Sequence, residues 1–327
     1  MGFVHRYIQL LSVASALLIT AGGLVTSTGS GLAVPDWPNS YGYFMFAFPF
    51  SSMVGGIFYE HGHRLIASTV GILTIGLVVL LTRQESRRWV RQLGWIILAA
   101  VIVQGLLGGI TVLFFLPTPI SVSHAGLAHL FFSLVVSLGV FTSPGWRTSY
   151  VRLTPINDQI LKRLAICTPV IIYFQILIGA TMRHTGAGLA IPDFPLAFGQ
   201  LIPSTWSTAI SINFAHRIGA AIVTMLVFAE AGHVLAHHWA RRELRRPAVL
   251  LVGLLLVQIF FGAWTVLSGK QFIVNTTHVI TGSVLLATAI VLALRVHHNW
   301  FPNTTTNLKH AQYSSIRLPL KNSGIQS

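Results

Sequence analysis

Of the 14 histidines in the chain, four stand at matched places in two similar halves. "HGHRLIAS" around His63 corresponds to "FAHRIGAA" around His216, and "SVSHAGLAH" around His124 corresponds to "VNTTHVITG" around His278. Each of the four opens an even-numbered apolar stretch, which puts two imidazoles per half near one depth. A lone histidine at the end of an apolar stretch is ordinarily an interfacial residue. That reading suits His233, His237, His238, His297 and His298, which sit beside arginines. Two positions each retained in both halves need another reason, because an imidazole in an apolar layer requires a partner. With no cysteine nearby and Glu60 the one neighbouring carboxylate, a pair of imidazoles falls short of the three or four ligands that zinc or a di-iron centre takes. Haem iron needs two axial ligands, and its macrocycle is apolar enough to lie among helices. Bis-histidine haem, one per half, is the economical reading, with His63, His124, His216 and His278 as axial ligands.

The neighbouring residues agree. Arg64 and Arg217 follow the second-helix histidines, and an arginine at that depth needs an anion, for which a haem propionate is suited. Gly22, Gly23, Gly29 and Gly31, with Gly179, Gly186 and Gly188, permit close backbone approach to a flat ring or another helix. The halves differ at one chemically important place. Glu60 stands three residues before His63, whereas Asn213 stands three before His216. A carboxyl group beside a metal site in a membrane is a functional candidate, so the reactive site is expected in the first half. His61 and His129 are expected to be supporting or structural, since His129 lies about 140° around the helix from His124 at 3.6 residues per turn.

These residues are carried by a chain of 327 residues that is 53% hydrophobic and 9% charged, far from the share of about 25% charged in soluble proteins. Eight apolar stretches approach the roughly 20 residues that span a bilayer: 6–27, 64–82, 92–114, 122–143, 162–182, 214–238, 248–268 and 274–295. They must cross as helices, since no alternating barrel pattern is present. The first is too long for a signal peptide's apolar core, and the segment after it recurs inside the chain. Cys167, the single cysteine, lies in the fifth stretch and excludes an intramolecular disulfide or a cysteine cluster. The formal charge of +14 is explained by topology. With the N-terminus inside, 17 of the 21 lysines and arginines fall on the cytoplasmic side, which is the positive-inside pattern and not a nucleic-acid footprint. Arg64, Arg183, Arg217 and Lys270 remain outside.

The halves also share a loop. "GSGLAVPDWP" from Gly29 matches "GAGLAIPDFP" from Gly186, and "QGLLGGITVL" from Gln104 matches "QIFFGAWTVL" from Gln258. The offset between copies is 157 in the loop, 153 at the second helix and 154 at the fourth. Four helices per copy gives both copies the same orientation, related by an axis along the membrane normal. The expected fold is an all-α integral membrane protein of eight transmembrane helices, built as two tandem four-helix bundles. The expected divisions are 1–143, a cytoplasmic linker 144–161, 162–300, and a flexible cytoplasmic tail 301–327. "GSGLA" is no nucleotide fingerprint, because no strand precedes it. Asp36 and Asp193, equivalent in the two loops, are expected to shape or cap the turn.

Taken together, "GGLVTSTGSGLA", "EHGHR", "SHAGLAH", "TGAGLAIPDFP", "AHRIGA" and "NTTHVITG" resemble the haem A synthase family over nearly the whole chain. The resemblance implies a cell-membrane oxidoreductase that converts haem O to haem A, oxidising a ring methyl to a formyl group by successive hydroxylations. It implies that His216 and His278 ligate a resident haem b and that His63 and His124 bind the substrate haem O. Glu60 then matches an essential glutamate proposed to handle protons or to stabilise a cationic intermediate. The haem sites would face outward, both termini inward, and the partners would be membrane lipid, an electron donor and the farnesyltransferase that makes haem O. The first outer loop lacks the cysteine found in many bacterial relatives, so thiol chemistry is not expected. Two other readings are a di-haem cytochrome b that only carries electrons and a parallel-repeat transporter. Glu60 against Asn213 disfavours the first, and the absence of a broken mid-membrane helix disfavours the second.

Overall fold

The computed structural model describes residues 2–146 and 156–301. Eight long α-helices make up most of it: α1 Gly2–Ser27, α2 Gly56–Gln84, α3 Arg88–Leu113, α4 Thr118–Thr142, α5 Gln159–His184, α6 Thr208–His237, α7 Arg242–Leu267 and α8 Phe272–Val296. All eight are long and apolar enough to cross a membrane, and no strand occurs among the described residues. The expected linker 144–161 falls partly, and the expected tail 301–327 almost wholly, outside the described residues.

Every helix begins earlier than its apolar stretch. The largest differences are in α2, which starts at Gly56 and not at 64, in α6, which starts at Thr208 and not at 214, and in α7, which starts at Arg242 and not at 248. The cause is that backbone hydrogen bonds continue through polar residues whose side chains find partners in the preceding loop, Glu60 and Arg64 among them. The correction moves the four histidines. They do not open their helices; they lie six to eight residues beyond the first residue, about two turns in. Side-chain caps fix several starts: Asp158 accepts from Leu161 N at α5, Ser207 from Ile210 N at α6, and Gln271 from Val274 N at α8.

Within α1–α4, consecutive helices pack on one another and α1 also packs on α4; α5–α8 repeat the same set of contacts. Buried side chains follow suit. Ile8, Leu11, Leu77, Leu81, Ile97 and Leu138 belong to one apolar cluster, while Leu161, Leu244, Leu251, Leu286 and Leu292 belong to another. A third, smaller cluster of Ile19, Phe132 and Ala287 joins them. The helices that meet across this seam are α1 with α8, α4 with α5, and α4 with α8. The sequence repeat maps the first contact onto the second and the third onto itself, as a twofold relation requires.

Polar groups cross the seam as well. Arg183 Nη2 donates to Gly23 O and to Ser27 Oγ, both at 2.7 Å. Ser27 Oγ also meets Thr276 Oγ1 at 3.0 Å and accepts from Asn275 Nδ2 at 3.3 Å. Glycines allow the helices to approach: a Cβ on Gly23 would lie 3.0 Å from Thr276 Cγ2, and one on Gly126 would lie 2.7 Å from Leu177 Cδ2.

Candidate functional site

The two long loops that follow α1 and α5 are built alike. Each helix ends on a glycine with positive φ, Gly29 at 69° and Gly186 at 72°, the conformation that favours glycine at a helix end. Further on, Tyr41 and Gly42, like Phe198 and Gly199, both have positive φ and sit between bridged residues, Ser40 with Tyr43 and Ala197 with Gln200. A turn of this kind points two successive backbone amides the same way. Asp36 accepts from Tyr41 N and Gly42 N, and Asp193 accepts from Phe198 N and Gly199 N, all at 2.8 Å. The two aspartates therefore cap the turn, as their equivalence in the sequence suggested. Both carboxyls are held below the ordinary aspartate range. For Asp36, partial burial pushes upward and is outweighed by the Gly42 and Tyr41 amides and by Arg64. For Asp193 the Gly199 and Phe198 amides dominate.

The arginines after the second-helix histidines hold these loops down. Arg64 Nη1 donates to Asp36 O and Asn39 O, and its Nη2 donates to Val34 O and to Glu60 Oε1, at 2.7–2.9 Å. Arg217 donates to Leu196 O, Ile191 O and Asp193 O, and through Nε to Asn213 Oδ1. In the structure both guanidiniums bond loop carbonyls and the side chain one helical turn before them, Glu60 or Asn213. A loop that turns away from the helix leaves several carbonyls without partners, and a planar donor fork one helical turn below is suited to satisfy them. Glu60 belongs to the same tie. It is 3% exposed, accepting from Val34 N at 2.8 Å and pairing with Arg64 at 2.7 Å. In the second copy the neutral Asn213 donates to Ala187 O and Gly188 O instead. His61 is fixed to the first loop through Ser40 Oγ at 2.9 Å and against the Phe48 ring. His129 bonds to Ala125 O within its own helix.

Each of the four matched histidines packs its imidazole on a glycine of the preceding helix. A Cβ would lie 3.0 Å from His63 Cε1 at Gly22, 3.1 Å from His124 Cε1 at Gly108, 2.8 Å from His216 Cε1 at Gly179 and 3.0 Å from His278 Cε1 at Gly262. Gly22 and Gly179 were singled out in the sequence; Gly108 and Gly262 were not, although they occupy the same place in the matching segments from Gln104 and Gln258. Within each half the second- and fourth-helix histidines are close enough to act on one another electrostatically, His63 with His124 and His216 with His278. Among the described residues, no third histidine, cysteine or carboxylate comes within shared-ligand distance of either pair.

Glutamines that the sequence reading passed over support three of these rings. Gln104 Nε2 donates to His124 O at 3.0 Å, and Gln175 Nε2 donates to His216 O at 2.7 Å and lies 3.0 Å from His216 Nδ1. His278 Nδ1 lies 3.1 Å from Gln258 O. The signal was present, since Gln104 and Gln258 recur at one position of an apolar stretch. Here the halves part. In the second half both Nδ1 atoms have partners. In the first, Leu18 replaces Gln175, His63 has only a loose contact with the Leu18 backbone, and Nδ1 of both His63 and His124 is buried without a hydrogen bond.

The fold and these residues define a multi-pass, all-helical membrane protein with two intramembrane histidine pairs. The family model COX15-CtaA, described as cytochrome oxidase assembly protein, matches residues 5–291, and the chain belongs to that family. A protein named heme A synthase from Symbiobacterium thermophilum is 30% identical over 295 residues, covering 85% of this chain and 91% of its own. Proteins of the same name from Shouchella clausii and Halalkalibacterium halodurans are 30% and 28% identical, covering 76% and 90% of this chain and 81% and 99% of theirs.

Proposed function

We propose that this chain is a haem A synthase: a membrane oxidoreductase that converts the farnesyl-bearing haem O to haem A by successive hydroxylations of one ring methyl. The observation that carries the reading is the fourfold seat of an imidazole on a helical glycine, repeated in two pairs that lack a third protein ligand. Such seats fit a flat macrocycle requiring two axial nitrogens.

His216 and His278 would hold a resident haem b, which supplies one-electron transfer when bound. Their Nδ1 atoms are tied to Gln175 and to Gln258 O, the outer support that fixes the ring orientation of a permanent ligand. His63 and His124 would bind haem O. Gln104 supports His124, but Leu18 stands where the second half has Gln175, so the His63 ring is held less firmly, which suits a substrate that enters and leaves. Glu60, one helical turn before His63, supplies a carboxylate in the first half alone, for proton handling or for stabilising developing positive charge. The Val34 amide and Arg64 orient it. This difference argues against two equivalent sites of an electron carrier.

The chain divides in this reading into a substrate bundle, 1–143, and a cofactor bundle, 162–300. Both termini then lie in the cytoplasm and the histidine pairs toward the outer side, a reading supported by the distribution of lysine and arginine. The partners are an electron donor and the farnesyltransferase that makes haem O. The test is haem extraction from membranes of a host that makes haem O, with and without the chain. Haem A is expected only with it, and its absence would refute the enzyme.

A further inference from the structure

At the end of the molecule opposite the duplicated loops, two helix ends bring together a group that the haem reading does not use. Asp158 caps the start of α5, His233 lies four residues before the last residue of α6, and His238 is the residue that ends it. Five residues apart in a continuous helix, His233 and His238 would point about 140° away from each other. The chain leaves the helix at His238, with φ −130° and ψ 26°, and that change returns its ring to the same side. Nε2 of His233 and Nε2 of His238 then lie 2.7 and 2.9 Å from one oxygen, Oδ2 of Asp158. The other oxygen, Oδ1, accepts from Leu161 N at 3.0 Å and so fixes the carboxylate. His237 stacks on His233 with ring centroids 4.4 Å apart, restricting its rotation. All three side chains are only 15–22% exposed.

We propose that Asp158, His233 and His238 form a binding site for one divalent first-row transition-metal cation of the Zn2+ type, tying the ends of α5 and α6. The three ligand atoms lie within 4.8 Å of one another. Two imidazole nitrogens and one carboxylate oxygen are a borderline donor set, suited to zinc and its neighbours rather than to Mg2+ or Ca2+, which take oxygen. Three protein donors leave one position of a tetrahedral shell for water. His237 bonds to His233 O through Nδ1 and is a support for the ring, not a ligand.

The site stands independently of the haem reading, and its test needs no turnover. The full chain, purified in detergent through a tag without histidine, is titrated with Zn2+ against a chromophoric competitor and assayed for bound metal after gel filtration. One Zn2+ per chain is expected in addition to iron, with affinity reduced at least tenfold in His233→Ala, in His238→Ala and in Asp158→Asn, and changed less than twofold in His237→Ala. Asparagine retains the helix cap, so Asp158→Asn separates loss of a ligand from loss of the helix start. An unchanged haem spectrum and elution volume identify each variant as folded. X-ray absorption at the zinc edge should show imidazole scattering from two rings. Absence of a saturable site in the unaltered chain, or affinity in folded His233→Ala and His238→Ala equal to that of the unaltered chain, would overturn the proposal.

Discussion

Replacing Gly179 with alanine would place a methyl group 2.8 Å from His216 Cε1. Ordinary contact begins at 3.4 Å, so the imidazole must move by about 0.6 Å, the difference between the two. It has little room to do so, because Gln175 holds its backbone carbonyl and lies against Nδ1. Overpacking of this size costs about 1–3 kcal/mol, which is roughly 5-fold to 150-fold in retention of a group bound to that ring. The helix itself is not the weak point, since alanine is favoured over glycine in a helix interior by about 1 kcal/mol. The assay is reduced-minus-oxidised difference spectroscopy of the purified protein, with haem-to-protein ratio and midpoint potential measured on the same sample. Gly179→Ala is expected to lose haem b or shift its potential, and Gly262→Ala to act the same way through His278 at 3.0 Å. Gly253→Ala, where a Cβ meets nothing within 4 Å, is the control and should match the unaltered protein. If Gly179→Ala matches it too, with full haem and the same potential, the glycine does not seat a ligand and the reasoning fails.

His278→Ala should abolish the low-spin b-type spectrum, and an unchanged spectrum would remove the second pair from cofactor binding. Glu60→Gln should retain haem b and stop haem A formation, measured by haem extraction; full activity would deny Glu60 a chemical role. Asp36 and Asp193 are held below the ordinary aspartate value of about 3.9, so the turns they cap gain stability that is complete above that pH and lost only as pH falls through the lower folded values. Protease nicking of the two loops should therefore be flat from pH 7 to about 4 and rise below it, whereas loosening at pH 5–6 would contradict the assignment. Arg64→Lys should increase nicking of the first loop at every pH, because an ammonium cannot span Val34 O, Asp36 O and Asn39 O as the guanidinium does.

The eight spans, the paired histidines and the capping aspartates were legible because each leaves a mark in residue type at fixed spacing. The starts of α2 and α6 were not. Glu60, His61 and Arg64 interrupt the apolar run without interrupting the helix, since their partners lie in the loop. The loop partners of Arg64 and Arg217 were hidden for a related reason: backbone carbonyls carry no sequence signature. Gly108 and Gly262 were hidden among other glycines and small residues, and only the packing of α3 on α4 and of α7 on α8 singles them out. The meeting of Asp158 with His233 and His238, 75 and 80 residues away, depends on where α6 stops, and the terminal residue of a helix is what a hydropathy pattern defines least well.

Under the proposed function, the seam between the halves has a consequence for electron flow. Ser27 is a junction, bonded to Arg183 on α5 and to Asn275 and Thr276 on α8, while Gly23 and Gly126 let the neighbouring helices approach. The spacing between the two histidine pairs is therefore a property of the seam and not of either half. Small changes in volume at Gly23 or Gly126 would act as a gauge on the rate of exchange between the pairs, leaving each with its own ligands and affinity. Either half made alone would expose the buried side of this junction to lipid, with Arg183 cut off from its acceptors.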